Sequence, residues 1–180
     1  MRRSKPATRK QCGFSLIELL IVMAIILILI AIAIPSFTGL TARAHETSAI
    51  GSIRAINNAQ IMYQSTYPQN GFACTLPSLG TQNGTAAGPN SAALIGNTQL
   101  LSGVKDGYTF TMTCTRATGT GGTTNTSGSP DSNATATSYL VVAAPVTPGK
   151  SGTRYFCSDN PSSIHYSMTP NCNPDSDPTI

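Results

Sequence analysis

The strongest pattern in the chain is a run of apolar residues near its N-terminus. The run starts at Phe14 and closes at Pro35, and no residue from Leu19 to Ile34 is polar. At about 1.5 Å per residue, a helix of this length would measure roughly 30 Å, enough to cross the hydrocarbon layer of a membrane. The pattern therefore predicts a membrane-spanning helix over 14–35.

A second helical pattern follows over 36–67. Its residues at spacings of three and four predict one buried face, and they are Ala49, Ile53, Ile56, Gln60, Tyr63 and Tyr67. Arg43, Glu46, Arg54 and Asn57 are expected off that face. Together with the apolar run this predicts a helix of about 50 residues, or roughly 80 Å. A single small head cannot cover so long a helix, so we expect other subunits to bury its first half.

Strand signals appear only in the second half of the chain, after a turn at 67–71. Alternating, apolar or aromatic-rich runs predict strands at 108–115, 139–144, 154–157 and 164–167, and 92–101 is a candidate short helix. The fold class is therefore α+β. We expect a long N-terminal helix packed on a four-stranded antiparallel sheet, with the globular β head over 68–180.

The segment 117–138 consists almost wholly of Gly, Ser, Thr and Asn. Such a composition cannot build a core, and it predicts an exposed loop. Asn83, Asn125 and Asn133 match the three-residue pattern of N-linked glycosylation. A short pattern also arises readily by chance in a biased composition, so both interpretations stay open.

Charge separates the first 13 residues from the rest. The formal net charge is +4, but five of the eleven Lys and Arg lie in the first ten residues, and the remainder carries six against seven Asp and Glu. Cations before the apolar run and none directly after it place the N-terminus in the cytoplasm. A basic leader over 1–13 explains the overall charge, and the sequence predicts no nucleic-acid binding.

Glu18 decides between the interpretations of the apolar run. A cleaved secretory signal or a plain signal anchor would also be basic and then apolar. A carboxylate inside the run, however, costs on the order of 2 to 3 kcal/mol to insert unless it is paired. Cleavage between Gly13 and Phe14 would create an α-amino group on Phe14 that can pair with Glu18 of a neighbouring subunit and set the register of packing.

These residues resemble a known family. Gly13-Phe14-Ser15-Leu16-Ile17-Glu18, the apolar run and the proline at its end are similar to the class III signal of type IV pilins and type II secretion pseudopilins. The resemblance covers about 25 residues. It departs at Leu27, where the family usually has a glycine that weakens the helix, although Pro35 would still loosen the preceding turn.

The resemblance implies a biogenesis pathway. A prepilin peptidase would cut after Gly13, Phe14 would be N-methylated, and an inner-membrane machine would assemble the subunits into a helical homo-oligomer. The subunit would lie in inner-membrane lipid before assembly and in an extracellular pilus afterwards.

Four cysteines remain once Cys12 leaves with the leader. An even number in an exported chain without a CxxC pair favours disulfides over a metal site, and three pairings can be drawn. We favour Cys74 with Cys114 and Cys157 with Cys172. Pilin heads commonly carry a disulfide at the C-terminal end, so the resemblance agrees with the second pair.

The sequence gives no arrangement typical of catalysis. His45 and His165 lack Ser, Cys or carboxylate neighbours in a justified geometry, and no cofactor is predicted. Asp159, Asp175 and Asp177 are solvated turn residues or, as in some pseudopilin heads, line a calcium site.

The sequence is therefore compatible with three functions. The leading one is a structural pilin for a surface filament used in adhesion or motility. The alternatives are a type II secretion pseudopilin and an exported adhesin or binding domain on a simple membrane anchor. Glu18 argues against the last.

Overall fold

The computed structural model describes residues 14–81, 86–116, 135–159, 161 and 163–180, leaving aside the side chains of 34–38. The chain divides into two compact units, Met1–Thr38 and Gly39–Ile180.

Helix α1 spans Leu16–Thr66 and contains 51 residues. Pro68 cannot continue a helix, and the residue before a proline is driven away from helical angles. The last helical hydrogen bond is therefore donated by the Tyr67 amide to the Tyr63 carbonyl, at 2.8 Å. The helix ends within one residue of the position that the sequence predicts.

The head contains one antiparallel sheet of five strands. The strands are β1 (Val104–Lys105), β2 (Tyr108–Arg116), β3 (Ala136–Pro145), β4 (Tyr155–Ser158) and β5 (His165–Ser167), and they lie in chain order across the sheet. The α+β class is thus confirmed. The predicted sheet lacked one strand, because β1 has only two residues and its apolar content is too low to stand out.

A tight turn joins β1 to β2. Asp106 and Gly107 both have positive φ, 47° and 75°, as the two-residue turn of a twisted hairpin requires. The Ser48 hydroxyl on α1 donates to the carboxylate of Asp106 and, with Lys105 contributing, lowers the pKa of that carboxyl. The turn is thereby fastened to the helix.

Strand β3 begins earlier than the sequence indicates. Residues 136–138 were assigned to the exposed loop, but they belong to the strand, where Ala136 is buried. The Ala136 amide donates to the Asn70 carbonyl at 2.9 Å, and the Phe72 amide donates to the Ala136 carbonyl at 3.2 Å. This pairing with the segment after α1 is a tertiary interaction that local composition does not reveal.

Two short helices connect α1 to the sheet. Helix α2 spans Leu76–Leu79 and α3 spans Thr98–Leu101. The helix expected over 92–101 is therefore only four residues long. Ala93 adopts a positive φ of 56°, and its neighbours bond across to residues 78–80, so the first part of this range runs as an extended loop.

The core lies between α1 and the inner face of the sheet. Its largest contributions from α1 are Ile53 and Ile56, both 0% exposed, and they share one cluster with Phe110, Val141 and Phe156. Burying each such side chain contributes roughly 1.5–3 kcal/mol. The face predicted from the helical spacing is the face that packs.

The C-terminal segment covers the outer edge of β5. The Tyr166 amide donates to the Pro178 carbonyl at 3.0 Å, and the Ile180 amide donates to the Ile164 carbonyl at 2.9 Å. His165 and Thr179 form an antiparallel bridge between these bonds. Residues 178–180 thus continue the hydrogen bonding of the sheet past its last strand.

Candidate assembly segment

The candidate functional site is the apolar part of α1. The window Leu16–Ala33 has a mean hydropathy of 3.2, and none of it is buried within the chain. Its 18 residues extend about 27 Å as a helix, close to the thickness of a bilayer core. Side chains such as Leu27, 68% exposed, require lipid or other protein chains as neighbours.

Glu18 lies in the first turn of this segment. The Ser15 amide donates to Glu18 Oε2 at 3.3 Å, and the Leu19 amide donates to the Ser15 carbonyl at 3.3 Å. Ser15 and Glu18 therefore form part of a capping box, in which an acid three residues after the cap accepts from the cap's amide. A negative charge also complements the positive end of the helix dipole.

The other residues of the predicted processing site are only partly described. Phe14 is 81% exposed. Gly13, like the rest of the leader over 1–13, lies outside the described residues. Helix α1 continues through Pro35. The loosening of the helical turn before this proline therefore stays a prediction.

The structure brings the four cysteines together in two pairs. Cys74 bonds to Cys114 and Cys157 bonds to Cys172, the two pairs that we favour from the sequence. Their Cα atoms are 5.1 and 5.8 Å apart, ordinary separations for disulfides. The first bond ties the segment after α1 to β2, and the second ties the C-terminal segment to β4.

The three aspartates of the calcium interpretation do not form one cluster of ligand atoms. Among the described residues, the three potential ligands whose donor atoms lie within 4.8 Å of one another are Cys157, Cys172 and Asp177. The two cysteines of this group are joined in a disulfide. Asp177 accepts from the Asn173 amide at 2.7 Å, while Asp159 and Asp175 line a separate surface depression.

The remaining polar candidates occupy structural positions or lie outside the description. His165 Nδ1 is 2.8 Å from the Asp177 carbonyl and Nε2 is 3.2 Å from Ser163 Oγ, so its ring holds the C-terminal segment against β5. Asn83, Asn125 and Asn133 lie outside the described residues, and glycosylation there stays a prediction.

Three buried polar residues of α1, Glu46, Ser52 and Asn57, are not indicated by the sequence. Glu46 is 8% exposed and Asn57 is 1% exposed, although both were expected off the buried face. Glu46, Ile53 and Gln60 are seven residues apart, so they lie on one side of the helix. The spacing of seven residues indicates that Glu46 lies on the buried face. Glu46 and Asn57 are expected elsewhere from the sequence because their side chains are polar.

The family model that matches this chain covers the same segment. Residues 8–34 match the family described as "Prokaryotic N-terminal methylation motif". A "Fimbrial protein" of Pseudomonas aeruginosa is 51% identical over 51 residues, which cover 28% of this chain and 33% of that protein. No solved structure gives a significant match.

Two further relatives extend the comparison. "Type II secretion system core protein G" of Escherichia coli strain K12 is 38% identical over 58 residues, covering 32% of this chain and 40% of the relative. "Type IV major pilin protein PilA" of Myxococcus xanthus is 52% identical over 48 residues, which cover 27% of this chain and 22% of that relative. The chain thus spans well under half the length of these relatives.

The chain combines a methylation-motif segment with a disulfide-bonded α+β head. The N-terminal segment of this chain matches the methylation motif, and type IV pilins and a type II secretion core protein are similar to the chain, so the resemblance seen in the sequence is confirmed.

Proposed function

We propose that this chain is the precursor of a structural type IV pilin that polymerises through its N-terminal helix into a surface filament. Prepilin peptidase cuts between Gly13 and Phe14, and Phe14 is then N-methylated. Inner-membrane machinery draws the subunit from the lipid and adds it to a homo-oligomeric filament outside the cell. The protein acts as a structural component rather than an enzyme.

The observation that carries this proposal is Glu18 in an exposed apolar helix. A carboxylate in lipid is costly, and a simple anchor gains nothing from it. Its bond to the Ser15 amide stabilises the helix start, and neither of the ion pairs among the described residues involves Glu18. In a bundle of such helices, the α-amino group of Phe14 supplies that counter-ion from a neighbouring subunit.

The cleavage step is tested by mass analysis of the exported protein. We expect an N-terminus at Phe14 carrying one extra methyl group. An intact leader, or a start near Ile34 as after secretory cleavage, would contradict the proposal.

The charge of Glu18 is tested with two variants. Glu18→Gln keeps an acceptor for the Ser15 amide and removes the charge, whereas Glu18→Ala removes both. We expect both variants to be cleaved and to abolish filaments, as counted by electron microscopy. If Glu18→Gln assembles normally, helix capping rather than charge pairing explains the residue, and if Glu18→Ala also assembles normally, the proposal fails.

A second candidate function, a type II secretion pseudopilin, has the same processing steps but assigns the subunit to a different assembly system. The alignment with the secretion core protein covers 58 residues at 38% identity and that with the fimbrial protein covers 51 residues at 51%, so relatives of both kinds are similar to this chain. A deletion strain separates the two functions. Loss of surface fibres supports the pilin, while normal fibres with blocked protein secretion support the pseudopilin.

A further inference from the structure

The half of α1 that lies in the head has a buried face built from both apolar and polar side chains. We call this face the seam. Its members are Glu46, Ala49, Ile53, Ile56, Asn57, Gln60 and Tyr63, each less than 9% exposed. Among the described residues every buried side-chain nitrogen or oxygen has a hydrogen-bond partner, so the polar members of the seam are satisfied.

The first polar member of the seam binds the loop between β3 and β4. Glu46 Oε1 accepts from the Thr153 amide at 2.8 Å, from the Thr153 hydroxyl at 3.0 Å and from the Arg154 amide at 3.3 Å. Glu46 Oε2 lies 3.5 Å from Arg154 Nε. A carboxylate with these partners fits in one position only, because each bond is directional.

The central polar member binds two strands of the sheet. Asn57 Nδ2 donates to Ser158 Oγ on β4 at 2.8 Å. The Tyr139 hydroxyl on β3 donates to Asn57 Oδ1 at 3.1 Å. Asn57 therefore relates the helix to both strands at once.

The last two polar members bind the segments that follow α1. Gln60 Nε2 donates to the Ala73 carbonyl at 2.8 Å, and the Ala73 amide donates to Gln60 Oε1 at 2.9 Å. The Tyr63 hydroxyl donates to the Pro89 carbonyl at 2.7 Å. Gln60 thus satisfies both backbone groups of one residue.

The two kinds of contact constrain the helix differently. Apolar burial is non-directional and scales with area, so it tolerates sliding or rotation of the helix. A shift of one turn, about 5.4 Å, would separate every polar pair of the seam. Residues 67–73 connect the helix to the disulfide at Cys74. Gln69, Asn70 and Phe72 in this stretch bond to Thr135 or Ala136, so a shift of the helix would disturb these bonds as well.

We propose that Glu46, Asn57 and Gln60 are positioning residues that fix the axial and rotational register of α1 within the head. The inference rests on the proposed function and deepens it. Subunits joined through identical helices form a regular filament only if every head sits at the same place along its helix. The polar seam supplies this uniformity at the level of the single subunit, before any assembly.

The test measures the register in the isolated full chain in detergent. Spin labels on noncanonical residues at Arg43 and Thr111, both exposed, report the distance between helix and sheet without disturbing the cysteines. The variant combines Asn57→Leu with Gln60→Leu. It replaces two polar members of the seam with apolar side chains and removes the four directional bonds described for them. We expect the single narrow distance distribution of the native chain to broaden, or to gain a population displaced by about 5 Å, one helical turn.

The matched control is Ile53→Ala, which removes apolar packing from the same seam and leaves its polar bonds in place. We expect it to lower the melting temperature at least as much as the double variant while the distance distribution stays narrow. Gln60→Met, which loses the two bonds to Ala73 and the contact of Nε2 with Met112 Sδ but keeps the bonds of Asn57, provides a milder variant if the double one does not fold. A native distribution in the folded polar variants would overturn the inference.

The two proposals fail separately. The register is read in isolated subunits, so fibres formed by Glu18→Ala would remove the proposed function and leave this measurement intact. Conversely, a native distance distribution in the polar variants would remove the register role, while the cleavage and assembly tests at Phe14 and Glu18 would stand.

Discussion

At the scale of single residues, the head depends on buried polar groups that share their hydrogen bonds across elements. Tyr139 is 2% exposed, and its hydroxyl donates to Asn57 while its ring lies 5.0 Å from that of Phe72. The apolar members of this core follow from helical spacing in the sequence. Asn57 does not, because only the positions of Ser158 and Tyr139 in the folded sheet give a buried amide its partners.

Tyr139 makes stability sensitive to alkaline pH. Burial, with a smaller contribution from Asp159, raises the pKa of Tyr139 from 10.0 to about 12. Between these values the unfolded chain releases the proton and the folded chain keeps it. The contribution of Tyr139 is therefore complete below pH 10 and is lost as pH rises toward 12, at about 1.4 kcal/mol per pH unit.

Denaturant unfolding of the processed chain across this range measures the slope. Tyr139→Phe should reduce the slope of the unfolding free energy against pH by the equivalent of about one bound proton. It should also lower stability at neutral pH because the bond to Asn57 is lost. Phe72→Leu is the control, since it weakens the same ring pair and introduces no change in titration. An unchanged slope in Tyr139→Phe would contradict this account.

At the scale of elements, the long regular patterns were predictable and the short ones were not. Helix α1 follows from its periodicity and from Pro68, and β2 follows from its alternation. Strand β1 was missed, although Asp106-Gly107 is a strong local signal for a two-residue hairpin turn. The start of β3 at Ala136 could not be found locally, because its partners are in the segment after α1.

Two glycines in different elements should respond in opposite directions to the same substitution. A Cβ on Gly107 would lie 2.8 Å from Ser151 Cβ, and the residue has a φ of 75°, so Gly107→Ala should cost about 1–2 kcal/mol. Gly51 lies inside α1 with nothing within 4 Å of an added Cβ, so Gly51→Ala should stabilise by about 0.5–1 kcal/mol. Thermal unfolding compares both with the native chain, and a gain from Gly107→Ala would refute the hairpin geometry.

At the scale of the whole molecule, the chain combines an uncovered apolar helix with a head stapled by two disulfides. The processing motif and Glu18 were readable from the sequence because their spacing is specific over about 25 residues. The connectivity of the cysteines was only favoured there, since three pairings satisfy the count. Folding places Cys114 and Cys157 on strands that bring each to its partner.

The two disulfides should contribute unequally to stability. The bond between Cys74 and Cys114 spans 40 residues and that between Cys157 and Cys172 spans 15. Loop-closure entropy assigns them about 4 and about 3 kcal/mol. Paired serine variants of each bond, unfolded in denaturant, should lose stability in that order, and equal losses would show that chain entropy is not the dominant contribution.

The segment that covers β5 also bears on the behaviour of the protein at high concentration. An open strand edge is a template for pairing with other chains, and here residues 178–180 occupy that edge. Cys172 anchors the segment only six residues before Pro178. Reduction of this disulfide would leave the segment held only by its hydrogen bonds to β5 and His165, so we expect the edge of β5 to become more accessible to other molecules. We therefore expect the bond that stabilises the fold also to limit edge-to-edge association between concentrated molecules.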